Sequence, residues 1–151
     1  MTESKGVKKI LTPVDFSENA PKIVAYAGHI AEKFEARLTI VYVVKSLHNY
    51  EGFAIPHISL AQFEEGLQKS AQDKMDDFVE EHIPPSLAYE AKVVIGDVAA
   101  TINSIAEDES MDMIVMGTHG YKGMEHALFG SVAEKVVKTA PCPVLTVNPY
   151  K

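Results

Sequence analysis

The chain has 151 residues, the size of one domain with a buried core, and is read as a single domain over 1–151. Apolar residues make up 46% and charged residues 23%, which excludes a disordered chain. The net charge of −7 disfavours nucleic-acid backbones and anionic membranes as partners, so neither is expected.

No run of about 18 apolar residues offers a membrane span. The opening stretch lacks the apolar core of a signal peptide, and the single cysteine, Cys142, has no internal partner for a disulfide. A cytoplasmic protein is expected.

Val7 to Val14 predicts a first strand ending in Pro13-Val14-Asp15. Ser17 reads as the N-cap of a helix reaching about Glu35, with Ile23, Ala27, Ile30 and Phe34 at helical spacing. Leu38 to Val44 is nearly continuous apolar and β-branched, which suits a strand buried on both faces. Lys45 to Ser59 has no clear period and reads as an irregular connection or a cover over a ligand.

Phe63, Leu67, Ala71, Met75 and Phe78 then mark a second helix that stops before Pro84-Pro85. Tyr89 to Ile95 is the third strand, and Val98, Ile102 and Ile105 carry the third helix. Met111 to Met116 is the fourth strand. Gly130-Ser131 opens the fourth helix, with Val132, Val136 and Val137 on its apolar side, and Pro143 to Val147 is the fifth strand.

Strands and helices alternate throughout, which predicts an α/β fold: a parallel sheet covered by helices on both faces. Ligands in such sheets bind beyond the carboxyl ends of the strands, where the strand order reverses. The ends of strands one and four, with Asp15 and Gly117-Thr118-His119-Gly120, are therefore the places to search.

Gly117, two residues, Gly120, nine residues and Gly130-Ser131 form the most specific pattern in the chain. Glycines there permit positive φ and close approach of backbone to ligand. Amide N–H groups at the start of the fourth helix, with the Ser131 hydroxyl, would donate to phosphate oxygens. Ser131 with Glu134 three residues on also reads as a capping box that needs no ligand. The pattern is neither a Walker loop nor the G-x-G-x-x-G dinucleotide fingerprint.

The pattern matches the G-2x-G-9x-G-[ST] signature of ATP-binding universal stress proteins. KKILTPVDFS at Lys8–Ser17, LTIVYVV at Leu38–Val44, VVIGD at Val93–Asp97 and PCPVLTV at Pro141–Val147 extend the likeness along nearly the whole chain. The chain thus resembles the ATP-binding branch of that family. The resemblance implies a single open five-stranded parallel sheet in the order 3-2-1-4-5. This is a Rossmann-like sheet of the adenine nucleotide alpha hydrolase type. It implies ATP, AMP or ADP as ligand, with Mg2+. It places Pro13, Val14 and Asp15 beside adenine and ribose, and Val43 along the adenine. Gly117, Thr118 and His119 would border ribose and phosphates, and Gly120, Gly130, Ser131 and Val132 would hold phosphates. It also implies a homodimer, with a tetramer beyond it left open. An exposed edge on strand five would pair through Val144, Leu145 and Val147. A further protein partner is implied without being identified.

Asp15 serves equally as a helix cap or as an acceptor for nucleotide or metal. His119 is a phosphate donor, a general acid/base or an ordinary turn residue, and Lys122 a phosphate neutraliser or a solvated lysine. His48, His57 and His82 lack metal-ligand spacing, and no metal site is expected among them. Cys142, between two prolines, reads as an inert packed thiol.

Function then lies between a nucleotide-dependent regulator and a slow or self-phosphorylating ATPase, with no catalytic residue assigned. A phospho-acceptor receiver fits poorly, because strand five ends Val147-Asn148-Pro149 where a receiver carries a lysine.

Overall fold

The computed structural model describes residues 6–47, 59–119 and 129–151. In chain order the elements are β1 (Lys9–Pro13), α1 (Ala20–Phe34), β2 (Arg37–Lys45), α2 (Leu60–His82), β3 (Tyr89–Gly96), α3 (Val98–Asp108), β4 (Met113–Gly117), α4 (Ser131–Thr139) and β5 (Val144–Val147). All four strand pairings are parallel, and the sheet runs β3-β2-β1-β4-β5, the expected order.

The strands are hydrophobic on both faces because both are covered. Ile10, Leu38, Ile40, Val115 and Val147 pack with Ile23, Val24 and Ala27 of α1 and with Met75, Phe78 and Val79 of α2. Leu11, Val41, Val43, Ile114 and Met116 pack on the other face with Ala99, Ile102 and Ala106 of α3 and with Ala133 and Val136 of α4. Of the three valines assigned to the apolar side of α4, Val137 is exposed. Adjacent helical positions differ by about 100°, so Val136 and Val137 cannot both face the sheet.

Two predicted caps move. Helix α1 starts at Ala20 with Asn19 as its N-cap and no side-chain cap bond. Ser17 lies two residues earlier, where its N–H donates to Asp15 Oδ1 (2.9 Å) and its Oγ accepts from Asn19 N–H. Asp15 therefore stabilises the turn before α1 and does not cap the helix. Phe16 makes that turn with φ 58°, a left-handed angle uncommon for a bulky residue. Its ring is held against Tyr42 (4.6 Å between centroids) and Phe78 (5.8 Å).

Elsewhere local chemistry explains the boundaries. Asp97 caps α3 through Ala100 N–H, and Ser59 with Gln62 forms a capping box on α2. Glu64 of α2 is buried, and its Oε1 accepts from Leu47 N–H (2.8 Å), tying α2 to the residues just beyond β2.

Thr12 lies next to the last residue of β1, fully buried, and its hydroxyl has no partner among the described residues. A buried, unpaired hydroxyl costs about 1–3 kcal/mol. Thr12→Val keeps the β-branched shape and is expected to stabilise the fold by about 1 kcal/mol, read from the urea midpoint at unchanged m-value. A midpoint shifted downward would contradict this account of Thr12.

Candidate functional site

The chain leaves β1 toward β2 on one side, while β4 lies on the other side of β1. The strand order reverses between β1 and β4, and their carboxyl ends frame the crevice where ligands of this fold class bind. Pro13 ends β1 in register with Val41, and Val14 N–H donates to Val41 O (2.8 Å). Val14 faces the α1/α2 core, while Asp15 is half-buried at the mouth. Val43 is buried in the α3/α4 core, two residues before the end of β2.

Gly117 ends β4. None of the described glycines has a positive φ, so the expected left-handed role is absent among them. Close packing explains Gly117: a Cβ there would overlap Ile23 Cδ1 of α1 and stand 3.3 Å from the His119 carbonyl oxygen. Thr118 N–H donates to Val147 O (2.9 Å), continuing the β4–β5 pairing past the strand end. The Thr118 carbonyl accepts from Gly130 N–H (2.6 Å). This bond brings the two described ends of the glycine segment together at the crevice. Gly120 and Lys122 lie outside the described residues, as do His48, His57 and most of the 45–59 connection.

Gly130 is the N-cap of α4, with φ −72° and ψ 162°, and Ser131 is the first helical residue. The capping box assigned to Ser131 and Glu134 therefore does not form. Its position is shifted by one, because Gly130 takes the extended cap conformation. Glu134 instead pairs with Lys138 one turn on (2.8 Å), whose ammonium holds the carboxyl below the usual range. A glycine cap offers no side chain to the first amides of α4, and the positive end of the helix dipole lies at Gly130, beside the Thr118 carbonyl. This is an anion-binding geometry.

His119 is only 4% exposed, so it is not a solvated turn residue. Its Nδ1 lies 2.6 Å from Thr118 Oγ1, and its ring packs edge-on against Tyr150 at 5.3 Å. The described residues contain no group of three or more metal-capable side chains. Burial, with the Asp112 carboxylate nearby, pushes the Cys142 thiol up, in keeping with an inert cysteine.

Three features escaped the sequence reading. Asp112 Oδ2 accepts from the Lys8 and Lys9 amides (2.9 and 3.0 Å), joining β1 to β4 at the far end of the sheet. Phe16 anchors the turn after β1. Lys22 reaches the carbonyls of Pro149 and Lys151 (3.1 and 3.2 Å). The first and last of these span more than 100 residues, and no local pattern signals them.

Fold and site together define a doubly wound α/β protein with a crevice at its strand switch and an open helix amino end beside it. The chain belongs to the universal stress protein family, whose model matches residues 6–148. It is 36% identical over 148 residues to universal stress protein MJ0531 of Methanocaldococcus jannaschii, covering 95% of this chain and 84% of that protein. It is 30% identical over 153 residues to universal stress protein MJ0577 of the same organism, covering 93% and 94%. The solved structure of MJ0577 superimposes with a TM-score of 0.80, covering 95% of this chain and 97% of the other. Universal stress protein UspA of Lactobacillus plantarum superimposes at 0.77 with 27% identity, covering 96% and 100%. Two more distant proteins share the fold, a universal stress protein in complex with cAMP (20% identical, TM-score 0.63) and one from Archaeoglobus fulgidus in complex with dAMP (18%, 0.65). No helix among the described residues is long and apolar enough to cross a membrane.

Proposed function

We propose that this chain is a member of the ATP-binding branch, a regulator whose conformation or assembly responds to nucleotide. One observation carries the reading: the glycine-capped amino end of α4 is tied to the Thr118 carbonyl at the mouth of β4, beside the end of β1. Phosphates would lie on the α4 amides and the Ser131 hydroxyl. Adenine and ribose would lie toward Pro13, Val14, Asp15 and Val43. Other proteins of this fold have been solved with cAMP and dAMP. Mg2+ would be held mainly by phosphate oxygens, with the Asp15 carboxylate as the protein's contribution, the usual manner for this ion.

Hydrolysis is expected to be slower than about 1 per second, the low end of ordinary enzymes. The proposed cradle would position phosphate without a side chain, among the described residues, set to activate water. His119 is buried and bonded to Thr118, and Asp15 is engaged with Ser17. Mass analysis of the nucleotide carried by purified protein, followed over time for ADP, tests the whole reading. Protein that neither carries nor binds adenine nucleotide overturns it, and fast conversion to ADP makes it an enzyme.

Ser131→Ala is expected to weaken ATP binding about tenfold, the value of one hydrogen bond to a charged group, with little change in stability because Ser131 is not the cap. Calorimetric titration paired with thermal melting checks both halves.

The proposed dimer uses the β5 edge. Leu145 is 41% exposed there and Val144 half-buried, but Val147 belongs to this chain's own α1/α2 core and would not be part of the contact. An open apolar edge invites pairing. Light scattering at high micromolar concentration is expected to show a dimer, and Leu145→Lys to shift it toward monomer.

A further inference from the structure

We infer that the stretch 148–151 is a positioning device for the phosphate cradle, acting through Tyr150 on His119. The inference rests on the cradle proposed above.

Lys22 lies in the first turn of α1, where the helix dipole opposes a cation. Its ammonium instead donates to the carbonyls of Pro149 and Lys151, fastening the stretch across the start of α1. Asn148 folds the stretch into a turn: its Oδ1 accepts from Tyr150 N–H (3.0 Å) and its carbonyl from Lys151 N–H (3.3 Å). Pro149 is buried. The turn sets the Tyr150 ring edge-on against His119. His119 in turn meets the Thr118 hydroxyl. Thr118 is the residue whose carbonyl receives Gly130 N–H and whose own N–H is held by Val147, just before the turn.

The same first turn of α1 closes the circle, because Ile23, next to Lys22, occupies the space beside Gly117. Every contact from Lys22 to Gly130 is thus made to a neighbour already fixed. Loosening the 148–151 turn removes the Tyr150 contact from His119 and so relaxes the constraint on the Thr118–Gly130 bond at the start of α4. The contact to His119 is made by the tyrosine ring.

Amide exchange on the nucleotide-free protein and calorimetric ATP titration, run on the same variants, test this. Tyr150→Ala is expected to speed exchange of the Gly130 amide and to weaken ATP binding, each by about three- to tenfold, the worth of one aromatic contact. Exchange in the middle of β1 and β2 should be unchanged, and Tyr150→Phe, which keeps the ring, should be less impaired than the alanine. Lys22→Met, a change on an exposed side chain, should reproduce the Gly130 effect and serves where Tyr150→Ala fails to fold. Unchanged Gly130 exchange in the folded variants overturns the inference, as does a Tyr150→Phe variant as impaired as the alanine. A parent protein that binds no ATP defeats the proposed function, while the exchange result independently decides whether 148–151 governs Gly130.

Discussion

Replacing Gly130 by valine is expected to weaken ATP binding by more than about a hundredfold while the domain stays folded. The backbone of Gly130 is extended, at φ −72° and ψ 162°, a conformation that β-branched residues adopt without strain. The fold should therefore lose no more than about 1 kcal/mol, the scale of a helix cap. Binding should suffer because two methyl groups would stand where phosphate is proposed to meet the amides of Ser131 and Val132. Two hydrogen bonds to a charged group are together worth about 3–6 kcal/mol, at least two decades of affinity. Calorimetry with ATP, beside circular dichroism to establish folding, separates the two effects. A folded variant that binds like the parent would place the nucleotide elsewhere.

Gly117→Val has its largest effect on stability, with an expected loss of about 2–3 kcal/mol, at the upper end for overpacking a buried contact. The new Cβ would overlap Ile23 Cδ1 and press on the His119 carbonyl, which is backbone and yields little. Ile23→Val removes the obstructing Cδ1, so the smaller change Gly117→Ala should cost less in that background than alone. Urea unfolding of the single and double variants measures this coupling. Strict additivity would show that Gly117 is glycine for another reason.

The contrast between these two glycines shows what the sequence could convey. Their spacing marked the candidate site, yet their physical roles differ: Gly117 makes room for α1, and Gly130 leaves a helix end without a side-chain cap. The sheet order followed from the family likeness. The strands themselves were legible because apolar, β-branched runs such as Leu38–Val44 have few alternatives. Helix beginnings were less legible. Ser17 and Ser131 both looked like caps, since capping residues are recognised by type, while the actual cap is set by backbone angles one or two residues away. His119 looked like a loop residue because nothing near it in sequence announces Tyr150, 31 positions on. Asp112 and Lys22 act over still longer separations, where single-sequence patterns carry no signal.

The bond from Asp112 to the Lys8 and Lys9 amides, with the pairing of Ile10 and Leu11 to Met113 and Ile114, bears on the order of assembly. The β1–β2–β3 half can form from the first two-thirds of the chain by successive crossovers. The crevice needs β4 to close a loop of about a hundred residues against β1, which is the costlier kind of contact and the slower to form. On the ribosome, the segments that build one wall of the cleft emerge long before those that build the other. A nucleotide bound as proposed would therefore have nothing to recognise until the late, non-local step is complete. Its influence would fall on how long the finished molecule persists rather than on how quickly it is reached.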